Sequence, residues 1–183
     1  MTESINLVQK MYKHFKTILK HKVIVCMECI KCGLIWRGLM HDNSKFGYTE
    51  FLASAKYFQG NKSPIEKEKE ITGYSLAWQH HKGHNPHHWE YWVDFDKKGQ
   101  VIAEKIPYKY VVEMVCDWIG AGMTYNKNKW TQNEPIDYYN KVREGRHFHP
   151  ETEAILVKFL ECIRDKGLKG FYKMARAQTD YPE

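Results

Sequence analysis

The sequence predicts a compact all-α domain, with one short β-hairpin near residues 92–106 as its extended piece. Three observations carry that prediction. Apolar residues recur at steps of three and four through long stretches of the chain. Pro, Gly and acidic residues stand where helices start and stop. The stretch "WVDFDKKGQVIAEKIP" alternates better than it spirals. No internal repeat, low-complexity tract or linker divides residues 1–183, so one domain is expected.

Residues 4–39 read as helical, in two segments or one bent helix. Ile5, Val8, Met11, Tyr12, Phe15, Ile18 and Leu19 form the expected apolar face. Gly33 and Gly38 weaken the far end, and Gly38 is placed to help the turn into His41-Asp42. A helix over Thr49 to Phe58 stops at "QGNKSP", where Gly60, Asn61 and Pro64 stand. Ser63-Pro64 starts the next helix, with Glu66, Glu68 and Glu70 after it, and that helix is expected to run to Gly83. Lys98-Gly99 is the hairpin turn. "YKYVVEMVCDWIGAGMTY" after Pro107 is a strong helix, "PIDYYNKV" a short one, and "HPETEAILVKFLECIRDKG" runs from Pro150 to a stop at Gly167. "LKGFYKMARAQ" closes the chain as a further short helix.

Composition excludes several classes. Charged residues are 27% and the hydrophobic set 43%, which is globular rather than disordered. No run of about 18 apolar residues exists, so no membrane span is expected. Charge interrupts the first 20 residues, unlike a secretory signal, and a cytoplasmic location follows as the expectation. The net charge of +6 is spread along the chain. It suits an anionic ligand, while a nucleic-acid partner, which would want a dense basic stripe, is not expected.

Cys26, Cys29 and Cys32 have the C-x2-C-x2-C spacing of a zinc or iron–sulfur loop. They sit inside "HKVIVCMECIKCGLIWRGLM", which reads as buried helix. There the thiols are expected to pack as small apolar groups. Five cysteines, an odd count, also point to reduced thiols.

Polar intrusions on core-facing helices carry the chemistry: His21, His41, Asp42 and Asp117. Asp117 lies between Cys116 and Trp118 in "VVEMVCDWIGAG". A carboxylate on so apolar a helix is costly without a cation or donor. Imidazole and carboxylate together suit Mn, Fe, Co, Ni, Zn or Mg. Taken singly, each has a plainer reading: Asp42 as a helix N-cap, Asp117 paired with Lys or Arg, His21 as an exposed residue, Lys45 as a surface charge. His14 shares the helical face of His21 and competes with it as a ligand. Five more histidines, His80, His81, His84, His87 and His88, crowd "HHKGHNPHH". Trp89, Tyr91 and Trp92 follow, either as packing or as a wall for a nucleobase. Arg146, His147 and His149 read as a polar loop or as outer phosphate contacts.

The order His21, His41-Asp42, Asp117 resembles the H…HD…D signature of the HD superfamily of metal-dependent phosphohydrolases, and Lys45 completes its extended H-D-x-x-K form. "WRGLMHDNSKF", "AWQHHKGHNPHHWEYW" and "EMVCDWIGAG" are similar to an HD-like bacterial and phage family that carries a domain-of-unknown-function label, over roughly residues 10–165. The resemblance implies an HD-like helical domain holding one or two divalent ions per chain. Its metal ligands would be His21, His41, Asp42 and Asp117, joined by His80, His81 and His87, with Asp42 as the bridge. Lys45, His81 and His88 would be the catalytic residues, Lys45 as a phosphate anchor. The implied activity is hydrolysis of a nucleotide or other small phosphate ester by a metal-activated water. The alternatives are an HD-type di-iron oxygenase and a non-catalytic, metal-containing ligand-binding module.

Overall fold

A computed structural model describes residues 6–60 and 62–178. Among them the chain forms eight α-helices and a single two-stranded sheet. α1 (Leu7–Lys31) opens on a capping box in which Asn6 Oδ1 accepts from Gln9 N at 2.9 Å. It stops at Cys32, and Gly33, at φ +84°, turns the chain into α2 (Ile35–Met40). α3 (Tyr48–Tyr57) follows. The helix expected to run unbroken from Pro64 to Gly83 is two: α4 (Pro64–Thr72) and α5 (Leu76–His84). Gly73 adopts φ +81° and ends the first, and Ser75 then caps the second by accepting from Trp78 N at 2.9 Å. That turn resets the phase of the histidine segment.

The hairpin pairs β1 (Val93–Phe95) with β2 (Val101–Ala103) antiparallel, Val93 opposite Ala103, with Gly99 left-handed in the turn. α6 (Tyr108–Tyr125), α7 (Glu134–Val142) and α8 (Pro150–Ala177) complete the fold. The stop expected at Gly167 is a kink inside α8, where φ is +70° and helical backbone resumes at once.

α6 is the central helix, packed between α1 on one side and α7 and α8 on the other. Val111, Val115, Cys116 and Ile119 meet Val25 and Cys29 of α1 and Leu156, Phe159, Leu160 and Ile163 of α8. Each fully buried Leu, Ile or Phe contributes about 1.5–3 kcal/mol. Of the apolar face expected on α1, only Ile18 is buried among the described residues. Val8, Tyr12, Phe15 and Leu19 are exposed, and Ile5 lies outside the described residues. α1 turns inward the neighbouring stripe, His14, Ile18, His21, Val25, Glu28 and Cys29. The driving contact is the wholly buried Val25 and Cys29 against α6, and the two histidines on that stripe are carried in with them.

Cys29, Cys32, Cys116 and Cys162 are buried, all five thiols are free, and Cys32 Sγ stands 3.8 Å from Cys116 Sγ. Among the described residues no cysteine joins a group of metal-binding side chains. Among the described residues no helix is long and apolar enough to cross a membrane.

Candidate metal centre

Four elements deliver the polar side chains, and local chemistry sets each. His21 comes from the inward stripe of α1. Gly120 of α6 lets the two helices approach, since a Cβ there would overlap Val25 Cγ2 and lie 3.6 Å from His21 Cε1. His41 and Asp42 leave the end of α2, where the Lys22 ammonium donates to the carbonyls of Leu39 (3.0 Å) and His41 (2.6 Å) and to Asn43 Oδ1 (2.7 Å). Asp42 itself makes the turn, at φ +53° and ψ 26°. That left-handed conformation costs an L-residue about 1 kcal/mol, and Asp tolerates it better than most. Gly38, expected at this turn, instead lies against α1, where a Cβ would come within 2.9 Å of Cys26 O. The Asp42 side chain makes no capping bond, so the N-cap reading does not describe it.

The carboxylate of Asp42 has a histidine group on each of its oxygens. Oδ2 lies 3.7 Å from His21 Nε2 and 3.3 Å from His41 Nε2, and Asp117 Oδ1 lies 3.0 Å and 3.3 Å from the same two nitrogens. Oδ1 lies 3.3 Å from His81 Nε2 and 3.5 Å from His87 Nε2, and His88 Nε2 is 2.9 Å from His81 Nε2. Within each group the donor atoms lie within 4.8 Å of one another: His21, His41, Asp42, Asp117 in the first, Asp42, His81, His87, His88 in the second. His21 Nε2, His41 Nε2, both ring nitrogens of His87 and Asp42 Oδ1 are buried and have no hydrogen-bond partner. Lone pairs left bare in a dry site carry a desolvation cost of about 1–3 kcal/mol each. A cation between them is the species that satisfies nitrogen and carboxylate lone pairs together, so the donor set fits a divalent ion.

Two buried acids stand behind the histidines. Glu113 of α6 accepts from His41 Nδ1 at 3.0 Å, has His87 Nδ1 at 3.4 Å from the same oxygen, and takes Arg37 Nε on its other oxygen at 2.7 Å. Glu50 of α3 meets His81 Nδ1 at 2.8 Å and His80 Nδ1 at 2.7 Å. Holding Nδ1–H in this way leaves Nε2 as the free lone pair. Arg37 already supplies the positive charge beside Glu113, so the third cluster, His41, His87 and Glu113, is a supporting hydrogen-bond layer rather than another ion site.

Protonation follows from these contacts. Burial pushes the Asp42 carboxyl up, but His41, Lys45 and His81 outweigh it and hold the group well below its usual range. Asp117 is held down the same way, against burial, by His21 and His41. Burial also opposes ionisation of Glu113, yet His41, His87 and Arg37 beside it pull it down to about 2. Burial lowers the pKa of His81, and of His88 further because His87 and His81 face it. Lys45 Nζ bonds Asp42 Oδ2, and, against the cost of burial, Asp42 and Asp117 raise its pKa, so it is a permanent cation at the rim of the site. Ionised acids beside neutral His81 and His88 suit metal binding, whereas His41, whose pKa is raised well above its usual value, against the effect of burial, by Asp42, Asp117 and Glu113, must give up a proton to an incoming ion.

The structure therefore brings together seven of the residues singled out from sequence: His21, His41, Asp42, Asp117, His81, His87 and His88, with Lys45 at the edge. His80 is outside every group. It is tied to Glu50 and stacked on His84 with ring centroids 4.0 Å apart, on the outer face of α5. His14 is buried against Phe51 and Phe58, at 5.5 and 5.3 Å between centroids, away from the donor atoms. Trp89 packs on Phe148 and Trp92 on Tyr110, the latter donating to Pro86 O. The aromatic beside the histidines is Trp78, 4.8 Å from His88, with Lys69 over its ring. Arg146, His147 and His149 line a separate open pocket of about 300 Å³ with Val101 and Ala103. Sequence reasoning missed Glu50, Glu113, Arg37 and Trp78. For Glu113 a signal was present: it precedes Asp117 by four residues in the same apolar run.

Fold and site together define a helical protein with two histidine groups facing one shared carboxylate. Residues 10–162 match the family described as "Family of unknown function (DUF5662)", and the chain belongs to that family. No curated protein and no solved structure matches it.

Proposed function

We propose that this protein is an HD-type, metal-dependent phosphohydrolase that acts on a nucleotide or other small phosphate ester. The observation that carries the reading is the split of the Asp42 carboxylate, with a separate histidine group on each oxygen. His21, His41, Asp42 and Asp117 would hold one divalent ion, and Asp42, His81, His87 and His88 a second. Bound there, such ions supply Lewis-acid polarisation of a phosphoryl oxygen and acidify water towards a pKa of about 7.

The chain's own residues do the rest. Lys45, charged throughout the working pH range, neutralises Asp42 and offers the remaining ammonium protons to a substrate phosphate. His88, only partly buried, stands with Nε2 2.9 Å from His81 Nε2 at the open side of the second group. Trp78 offers an aromatic face beside His88, and Lys69 above it adds positive charge for an anionic ligand. Burial of His41, His87 and Asp42 keeps bulk water from the ligand atoms.

The test is a screen of nucleotides, phosphodiesters and phosphomonoesters with protein loaded in turn with Mn, Fe, Co, Ni, Zn and Mg, read as phosphate or ester cleavage. Turnover that Asp117→Ala lowers by at least about 10²-fold together with metal content is expected. Cleavage that persists in the fully metal-stripped protein, or iron-dependent oxygen consumption in its place, would overturn the hydrolase reading.

A further inference from the structure

The two histidine groups are joined by Asp42 in front and by one more residue behind. Glu113 is wholly buried and makes three contacts with two oxygens. Oε2 takes the Arg37 guanidinium at 2.7 Å, and Arg37 is itself held over the Tyr110 ring at 4.8 Å. Oε1 takes His41 Nδ1 at 3.0 Å and stands 3.4 Å from His87 Nδ1. His41 belongs to the first group of donor atoms and His87 to the second, and their rings are 4.5 Å apart. His81, the other oriented imidazole, leans on a different acid, Glu50, from a different helix.

We propose that Glu113 is the positioning residue that couples the two metal subsites, because its single Oε1 accepts from His41 Nδ1 and stands 3.4 Å from the otherwise unpartnered His87 Nδ1, the acceptor that turns both Nε2 lone pairs forward when ions bind. This rests on the metal reading above. Each ring has two nitrogens and one lone pair to give, so whichever nitrogen is pinned as donor decides which one ligates. An acceptor with no hydrogen of its own, fixed in place by Arg37, leaves one choice at both rings. Glutamine cannot reproduce it. With its carbonyl towards the histidines, its NH2 meets Arg37, donor against donor. Turned round, its NH2 meets both Nδ1 atoms, which must then be bare, and the proton moves to Nε2 where the ion belongs.

Two measurements decide the matter. The first is chelator-competition titration of Co²⁺ or Zn²⁺ into metal-stripped wild type, Glu113→Gln and Glu50→Gln. Glu113→Gln should weaken both subsites by about 10–100-fold, the range for lost supporting carboxylates, while Glu50→Gln weakens only the His81 subsite. Unchanged affinities in Glu113→Gln, or loss at one subsite alone, would overturn the proposal. The second needs no variant and holds if Glu113→Gln does not fold: ¹⁵N-histidine NMR of the wild type should find Nδ1 of both His41 and His87 protonated and hydrogen-bonded. A bare Nδ1 at either ring would overturn the proposal. Wild type that takes up no metal would instead sink the function proposed above, and the NMR result would still decide the role of Glu113.

Discussion

His14 is the histidine that competes with His21 on the same helical stripe, and the structure gives it a different physical role. Its ring is 5% exposed, and neither nitrogen has a hydrogen-bond partner. Burial, with Lys45 as the next cause, lowers its pKa from 6.5 to about 4. Between those two values the unfolded chain binds a proton that the folded chain refuses. The stability is therefore whole above pH 6.5 and is lost as pH falls towards 4. At 1.36 kcal/mol per pKa unit the loss reaches about 3 kcal/mol. His14→Phe keeps an aromatic ring against Phe51 and Phe58 while removing the proton site. The assay is urea denaturation of metal-stripped wild type and variant at pH 7.5 and pH 4.5. The variant should hold at least the wild-type stability at pH 7.5, because two unpaired polar atoms are gone, and should gain about 2–3 kcal/mol on wild type at pH 4.5. Parallel pH dependence in the two proteins would refute the reasoning, and so would any loss of metal in His14→Phe.

Further consequences follow from the same geometry. Gly120→Ala sets a methyl against Val25 and beside His21, so α1 and α6 must part. A net cost of about 1–2 kcal/mol is expected after the helix-propensity gain, seen as a melting temperature lower by about 2–8 °C with weaker metal uptake. His80→Ala should keep full metal content in elemental analysis, whereas His87→Ala should lose the second ion. Cys29→Ala should destabilise the fold in denaturant without changing metal content, because its thiol packs against Cys32 and Cys116 rather than serving as a ligand.

Much of this molecule was legible in the chain because its signals are local. Pro at the starts of α4 and α8 and the Lys98-Gly99 turn are decided by neighbours in sequence. The donor set was legible for another reason: Asp117 in an apolar run advertises its own desolvation cost. What could not be read was helical phase. His80 and His81 differ by 100° on α5, and the break at Gly73 sets which of them faces Glu50 from inside. The same limit hid the true inward stripe of α1. Its exposed stripe is more apolar than the buried one, and only the packing of Val25 and Cys29 on α6 selects between them. Glu50 and Glu113 resemble ordinary helix acids until the imidazoles that bond them come from elsewhere in the chain.

The central claim, that Asp42 joins two ion sites, is most directly tested by metal content. Wild-type protein, equilibrated with excess Mn²⁺ or Zn²⁺ and freed of unbound ion, is compared by elemental analysis with Asp42→Ala and Asp117→Ala. Two ions per chain are expected in the wild type, one in Asp117→Ala, and none in Asp42→Ala, whose lost carboxylate faces both groups. Full metal content in Asp42→Ala would contradict the account.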